Sequence, residues 1–278
     1  MAPGRPVCHA LHPMSAVAVP KRRSSDASTT TRDPSAMQLY AMPPGESLQR
    51  LRSDFVALDK MLATMESDRF TGYLRVHSDE LNGVVLLLEG GVVETLFDMA
   101  PVVVTGQRAL GIVAATVAQG EGELDIVALG PEVVMGLYQL LTAPSLYENL
   151  FARFVDVPAL LEYLSESGLS GSVIVTNGEE QGVVLMRDGE LLTAYTSRSL
   201  NPESAPEMMI QLCQNPQTAI EVRSGVVPDS PVRLELRKAL SLGAGRDLRT
   251  EISEIARTQR ATAIPRRLSD ADFDDRRD

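Results

Sequence analysis

One stretch of this chain occurs twice. Gly83–Asp98, GVVLLLEGGVVETLFD, returns 99 residues later as Gly182–Ser197, GVVLMRDGELLTAYTS. Sliding the sequence by that offset aligns Phe55–Asp98 with Phe154–Ser197 without a gap. The identical pairs include Phe55/Phe154, Leu62/Leu161, Gly72/Gly171, Val76/Val175, Gly83/Gly182, Val84/Val183, Val85/Val184, Leu86/Leu185 and Gly90/Gly189. A repeat at fixed offset constrains a fold more than composition does, because both copies must build the same supersecondary unit.

The unit reads as helix, three-stranded meander, helix, strand. Over 47–66 the residues Leu48, Leu51, Phe55, Leu58, Leu62 and Met65 recur at spacings of three and four. That period predicts one amphipathic helix, with Ser47 as its N-cap. The period then falls to two. Thr71-Gly72 leads into Tyr73–His77, which alternates, SDELNG at 78–83 has turn chemistry, and Val84–Leu88 is wholly apolar. Glu89-Gly90-Gly91 turns the chain into Val92–Phe97, and Asp188-Gly189 marks the same turn in the second copy. A type I′ turn needs φ > 0 at both central residues, which Gly supplies without a Cβ clash. The expected structural turn glycines are Gly72, Gly83, Gly90, Gly171, Gly182 and Gly189.

The strand VVLLL has no polar alternation, so both of its faces are expected to be covered. Its second copy ends Met186-Arg187, where less complete cover is expected. Gly106–Ala118 reads as a helix and Glu123–Ala128 as the closing strand, answered by Ala205–Cys213 and Ala219–Val222. Between the copies, Pro131–Leu141 has a helical apolar face, and Ser145–Phe154 carries Leu146, Leu150, Phe151 and Phe154 as a further amphipathic helix. A connection this apolar predicts that the two units pack on one another.

These readings divide the chain into a disordered N-terminal tail (1–46), repeat 1 (47–142), repeat 2 (143–228), amphipathic helices (229–260) and a disordered C-terminal tail (261–278). Within the helices, Leu248, Ile252 and Ile255 line one side.

Charge narrows the function. Over 47–230, 10 Lys and Arg stand against 25 Asp and Glu, a net of −15, and such a body repels a phosphate backbone. Only 231–260, with seven cations against four anions, leans the other way, and no Trp is present for base stacking. Two Cys, Cys8 and Cys213, do not make a disulfide framework and fit a reducing cytoplasm. No apolar run reaches the ~18 residues of a membrane span.

No residue cluster reads as an active site. His9 and His12 lie in the tail without further ligands, and His77 stands alone on a strand, so no metal site is expected. For the same reason no triad forms, and Cys213 sits on an apolar helix as a core residue. The glycine pairs join strand to strand, not strand to helix, so they are not phosphate loops. The acids Asp79-Glu80, Glu179-Glu180 and Glu89/Asp188 recur at turns, where solvation explains them. No cofactor is expected. Ser269, in Arg266-Arg267-Leu268-Ser269, has the spacing of a basophilic phosphorylation site.

The elements Thr71-Gly72-Tyr73-Leu74, Gly83-Val84-Val85-Leu86, Glu89-Gly90-Gly91-Val92-Val93 and Gly106-Gln107-Arg108-Ala109-Leu110 resemble the PatA N-terminal (PATAN) domain family. The second copy shows Ser170-Gly171-Ser172-Val173 and Asp188-Gly189-Glu190-Leu191-Leu192-Thr193-Ala194, and departs at Glu203–Glu207, where the G-x-x-A-L helix start is missing. The resemblance covers 55–225. It implies a bacterial cytoplasmic signalling or adaptor module acting through protein–protein contact, without catalysis. A receiver's acidic cluster is not visible.

The expectation is therefore an α+β protein of two homologous units, a noncatalytic adaptor or scaffold, with homodimerisation open to it. The alternatives are a small-molecule sensor with its ligand between the repeats, and a DNA-associated protein using the C-terminal helices.

Overall fold

The computed structural model describes residues 41–258 except 79–80, 100–101, 179, 198–204, 227, 229–230, 244–249, 251–252, 256. It is an α+β architecture of two antiparallel sheets with helices between and outside them.

The meander forms first along the chain: β2 (Gly72–His77), β3 (Asn82–Leu88) and β4 (Gly91–Met99), with β1 (Glu46–Arg52) preceding it. A short β5 (Val102–Thr105) adds to β4, α2 (Gly106–Ala118) crosses the sheet, and β6 (Glu123–Ala128) returns to the far side of β2. The order is β1-β6-β2-β3-β4-β5. The second sheet contains β7 (Ser145–Phe151), β8 (Gly171–Asn177), β9 (Glu180–Arg187), β10 (Glu190–Thr196) and β11 (Ala219–Ser224). Its order, β7-β11-β8-β9-β10, follows the first strand for strand; β5 has no counterpart among the described residues.

The same local devices recur in both sheets. In the β3–β4 hairpin Glu89 and Gly90 have φ of 49° and 81°; in the β9–β10 hairpin Asp188 and Gly189 have 50° and 82°. Positive φ at both central residues defines the type I′ turn. Gly90 N–H donates to the Phe70 carbonyl (2.7 Å) and Glu89 N–H to Thr71 Oγ1 (2.9 Å). Gly189 N–H donates to the Leu169 carbonyl (3.0 Å) and Asp188 N–H to Ser170 Oγ (2.9 Å).

The other four glycines expected at turns lie in strands instead. A Cβ on Gly72 would stand 2.1 Å from the Val127 carbonyl oxygen, and one on Gly171 2.0 Å from that of Arg223. Gly83 and Gly182 lie under helices, where a Cβ would meet Val113 at 2.8 Å and Met209 at 3.0 Å. Close approach of neighbours, not a turn, demands glycine there.

The expected helix over 47–66 is not one helix. Residues Glu46–Arg52 form β1, Ser53–Phe55 a 3₁₀ turn, and only Leu58–Ser67 the helix α1. The amphipathic helix expected at Ser145–Phe154 is likewise β7 followed by a 3₁₀ turn at Ala152–Phe154, and α4 (Val157–Glu166) comes after it. The reason is the same in both units. β6 and β11 each offer a row of backbone groups, and β1 and β7 satisfy them by antiparallel pairing. A bulge between Ser47 and Gln49 breaks the strict alternation of β1, so its leucines mimic a helical spacing. Residue 47 therefore lies in a strand and opens no helix. Ser53, which opens the 3₁₀ turn, is buried, with its Oγ donating to the Gly122 carbonyl at 2.7 Å.

α3 (Pro131–Thr142) lies between the sheets. Val134, Leu137 and Leu140 pack with Val84 and Leu86 of β3, Val183 and Leu185 of β9, and Tyr195 of β10. Val85 and Leu87 point the other way, into a core with Leu62 of α1 and Leu110 and Val113 of α2. Both faces of β3 are thus covered. So are those of β9: Met186, where thinner cover was expected, is 4% exposed, because α4 and α5 (Ala205–Cys213) close that side.

Two boundaries move. Residues 41–46, expected in the tail, belong to the fold: Ala41 and Met42 pack on the layer between the sheets, and Ala41 N–H donates to Gln181 Oε1 (2.8 Å). The segment after β11 is helical at Leu236–Gly243 and at 253–255 among the described residues, and it packs on the first unit. It crosses back to the first sheet, where Leu234 N–H donates to the Val92 carbonyl (2.7 Å) and Glu235 and Gln107 exchange two hydrogen bonds. α6 (Leu236–Gly243) then seats Ala239 over Gly111 of α2, and Ile255 is buried in the same core. Leu248 and Ile252 lie outside the described residues, as do 1–40 and 259–278.

Candidate protein-docking surface

The two 3₁₀ turns position the residues that the core leaves out. Each turn joins the edge strand of its sheet to the next helix, and each ends on a phenylalanine: Phe55 and Phe154. They are 83% and 76% exposed. Most other identical apolar pairs of the repeat are core residues, among them Val76/Val175, Val84/Val183 and Leu86/Leu185. A phenyl ring left in water forgoes about 1.5–3 kcal/mol of burial free energy. Packing therefore gives no account of why both copies hold the ring at this position.

The turns differ in their surroundings. In the second unit Arg153 lies over both Phe154 (4.6 Å) and Phe151 (5.2 Å), so a cation and two rings form one stack beside β7. Leu146, Tyr147 and Tyr163 are also exposed on β7 and α4. In the first unit Asp54 holds Arg52 at 2.7 Å.

His77 is not alone. Its Nε2 lies 2.9 Å from Asp125 Oδ2, and Arg50 Nε donates to Asp125 Oδ1 at 2.8 Å. Burial pushes the Asp125 carboxyl up, but the bonds from Arg50 and His77 outweigh it and hold the group below the usual carboxylate range. Glu221 occupies the matching register position in the second sheet and accepts from Ser145 Oγ (2.6 Å) and Arg223 Nε (2.7 Å). Each carboxylate fastens an edge strand to its neighbour, a structural role that strand alternation alone does not reveal.

Glu94 on β4 is a second missed residue. Its Oε1 accepts from Thr95 N–H (2.8 Å) and from Gly106 N–H (2.7 Å), which opens α2. Burial raises its carboxyl above the usual range, against the pull of those two bonds. A carboxylate at a helix N-terminus is favourably placed, so Glu94 ties strand to helix. In the middle layer Tyr73 donates to the Pro43 carbonyl (3.2 Å), and burial pushes its phenol up to about 12. Tyr195 Oη beside it is wholly buried and has no partner among the described residues.

One cleft of about 140 Å³ opens at the end of the second sheet, lined by Asn177, Glu180, Gln181, Ser197, Met208 and Gln211. That is below the 300–1,000 Å³ of ordinary ligand sites. Gln181 is engaged by Ala41, and Asn177 by Asn215 (2.9 Å). Among the described residues no three His, Cys, Asp or Glu converge as metal ligands, and no helix is long and apolar enough to cross a membrane. Cys213 is half-buried, and burial raises its thiol. Ser269, Cys8, His9, His12, Asp79, Glu80 and Glu179 lie outside the described residues.

No family model matches the chain, and neither a curated protein nor a solved structure is found to match it.

Proposed function

We propose that this chain is a noncatalytic signalling adaptor or scaffold, built from two homologous PATAN-like units and working in the cytoplasm by contact with another protein. The carrying observation is the pair Phe55 and Phe154, equivalent in the repeat, and both in water. The common strand order, the matched hairpin angles and the matched close approaches at Gly72/Gly171 and Gly83/Gly182 support descent of both units from one ancestor. The space between the sheets holds α3 and the side chains packed on it, which favours contact over a ligand held between the repeats. The basic helix α6 has its buried face against α2, which favours a structural role for it over nucleic-acid binding.

The test is a double variant, Phe55→Ser with Phe154→Ser. Both sites are exposed and only the Arg153 stack is lost, so stability should change by no more than about 1 kcal/mol. Proteins that co-purify with the wild-type chain from its native cell should be lost. A variant that keeps the same co-purifying set, or a purified chain that turns over a substrate, would end this reading.

A further inference from the structure

The two terminal strands occupy the same place in their sheets, yet one carries exposed cations and the other exposed apolar side chains beside an anion. Among the described residues β1 and β7 each end a sheet and each pair on one side, with β6 and β11. A free strand edge is a template for another strand, and charged side chains on it are the usual protection. β1 has that protection: the side chains of Arg50 and Arg52 are each 69% exposed. At the places of Arg50 and Arg52 β7 carries Asn149 and Phe151, and Leu146 falls in the bulge of β7 as Leu48 does in that of β1. Leu146 is 50% and Tyr147 37% exposed. Asn149, at φ 57°, kinks the strand, and the pairing with β11 shifts register again between Tyr147 and Ser145.

The charge around this edge is one-sided. Residues 145–166 carry Glu148, Asp156, Glu162 and Glu166, all exposed, against the single cation Arg153. A second copy is a poor occupant, because it brings its own Glu148, Asp156, Glu162 and Glu166 up to the same acids here. Like charges directly opposite destabilise a strand pair. A strand with basic residues is the complementary one.

We infer that the outer edge of β7 receives an extended segment of the partner protein by strand addition, and that this segment alternates apolar and basic residues. The inference rests on the adaptor reading and adds its binding mode. Backbone groups of Ser145–Glu148 pair with the incoming strand, Leu146 and Tyr147 meet its apolar side chains, and Glu148 meets its cations. Phe151 and Phe154, past the kink, extend the apolar contact.

The test uses the full chain and two ten-residue peptides, one alternating Val with Lys and one alternating Val with Glu. The Lys peptide should bind, should slow amide exchange over 145–148, and should bind more weakly as salt rises. Removing the exposed apolar side chains, as Leu146→Ser with Tyr147→Ser, should weaken binding at least tenfold with the melting temperature unchanged. Glu148→Lys should reverse the preference between the peptides. Equal binding of both peptides, or protection outside β7, overturns the proposal. So does protection of 145–148 without peptide, whether it grows with protein concentration (a second copy on the edge) or is removed by deleting residues 1–40 (the chain's own end on it). If neither peptide binds while the Phe55/Phe154 variant still loses its co-purifying proteins, the strand-addition mode falls and the adaptor reading stands.

Discussion

Glu94 couples a strand to a helix through one oxygen, and its protonation has a readable sign. The folded group holds its proton more tightly than the unfolded one, because burial disfavours the carboxylate. Its stabilising contribution is therefore complete below the ordinary value of 4.5 and is lost as pH rises through the raised one. Glu94→Gln keeps an acceptor for Gly106 N–H and removes the buried charge. The variant should melt higher than wild type at pH 7, and the difference should vanish by about pH 4; an equal gap at both values would contradict the burial argument. At the hairpin, a Cβ on Gly189 would stand 2.2 Å from the Ser165 carbonyl oxygen at φ 82°. Gly189→Ala should cost about 2–4 kcal/mol in urea unfolding, the sum of a left-handed backbone and a displaced helix end. The Asp-Gly dipeptide made that turn legible in the sequence. The partners of Glu94, His77 and Asp125 were not legible, because they lie 12, 48 and 75 residues apart and meet only across strands or at a helix start.

Elements whose own residues dictate their form were readable. α2, β6 and α5 begin and end where local period and glycine placement put them. β1 and β7 were not, because bulged edge strands and helices share the spacing of three to four, and only the free edges of β6 and β11 decide between them. α6 illustrates the same limit. Its amphipathic pattern was plain, whereas its seat on α2 depends on Gly111, where a Cβ would stand 2.9 Å from the Ala239 carbonyl oxygen. Gly111→Val should destabilise by about 1–3 kcal/mol through overpacking. Amide exchange should quicken in 236–243, leaving the second sheet as protected as before. Unchanged exchange in α6 would show that the helix does not rest there.

At the scale of the molecule, one layer joins the halves. α3 contributes Val134, Leu137 and Leu140 to a cluster that takes residues from both sheets, and Arg187 of β9 pairs with Glu132 of α3. The C-terminal strap runs from the second sheet back to the first, so chain and packing cross the boundary twice. Unfolding should accordingly be one cooperative transition, coincident by near- and far-ultraviolet circular dichroism. Leu137→Ala, which empties a site 1% exposed, should lower its stability by about 2–5 kcal/mol without splitting it. Two resolved transitions in the wild-type chain would mean that the halves stand independently.

The sequence by itself determined the doubled meander, the type I′ hairpins and the covered central strands, since these follow from side-chain period and from the φ that glycine permits. Only the tertiary structure decided that the leading segments extend the sheets, that the C-terminal segment straps the first half, and that two identical phenylalanines face water. Each of those outcomes is a competition among distant backbone groups and surfaces for the same partner, and no local window of residues contains both competitors.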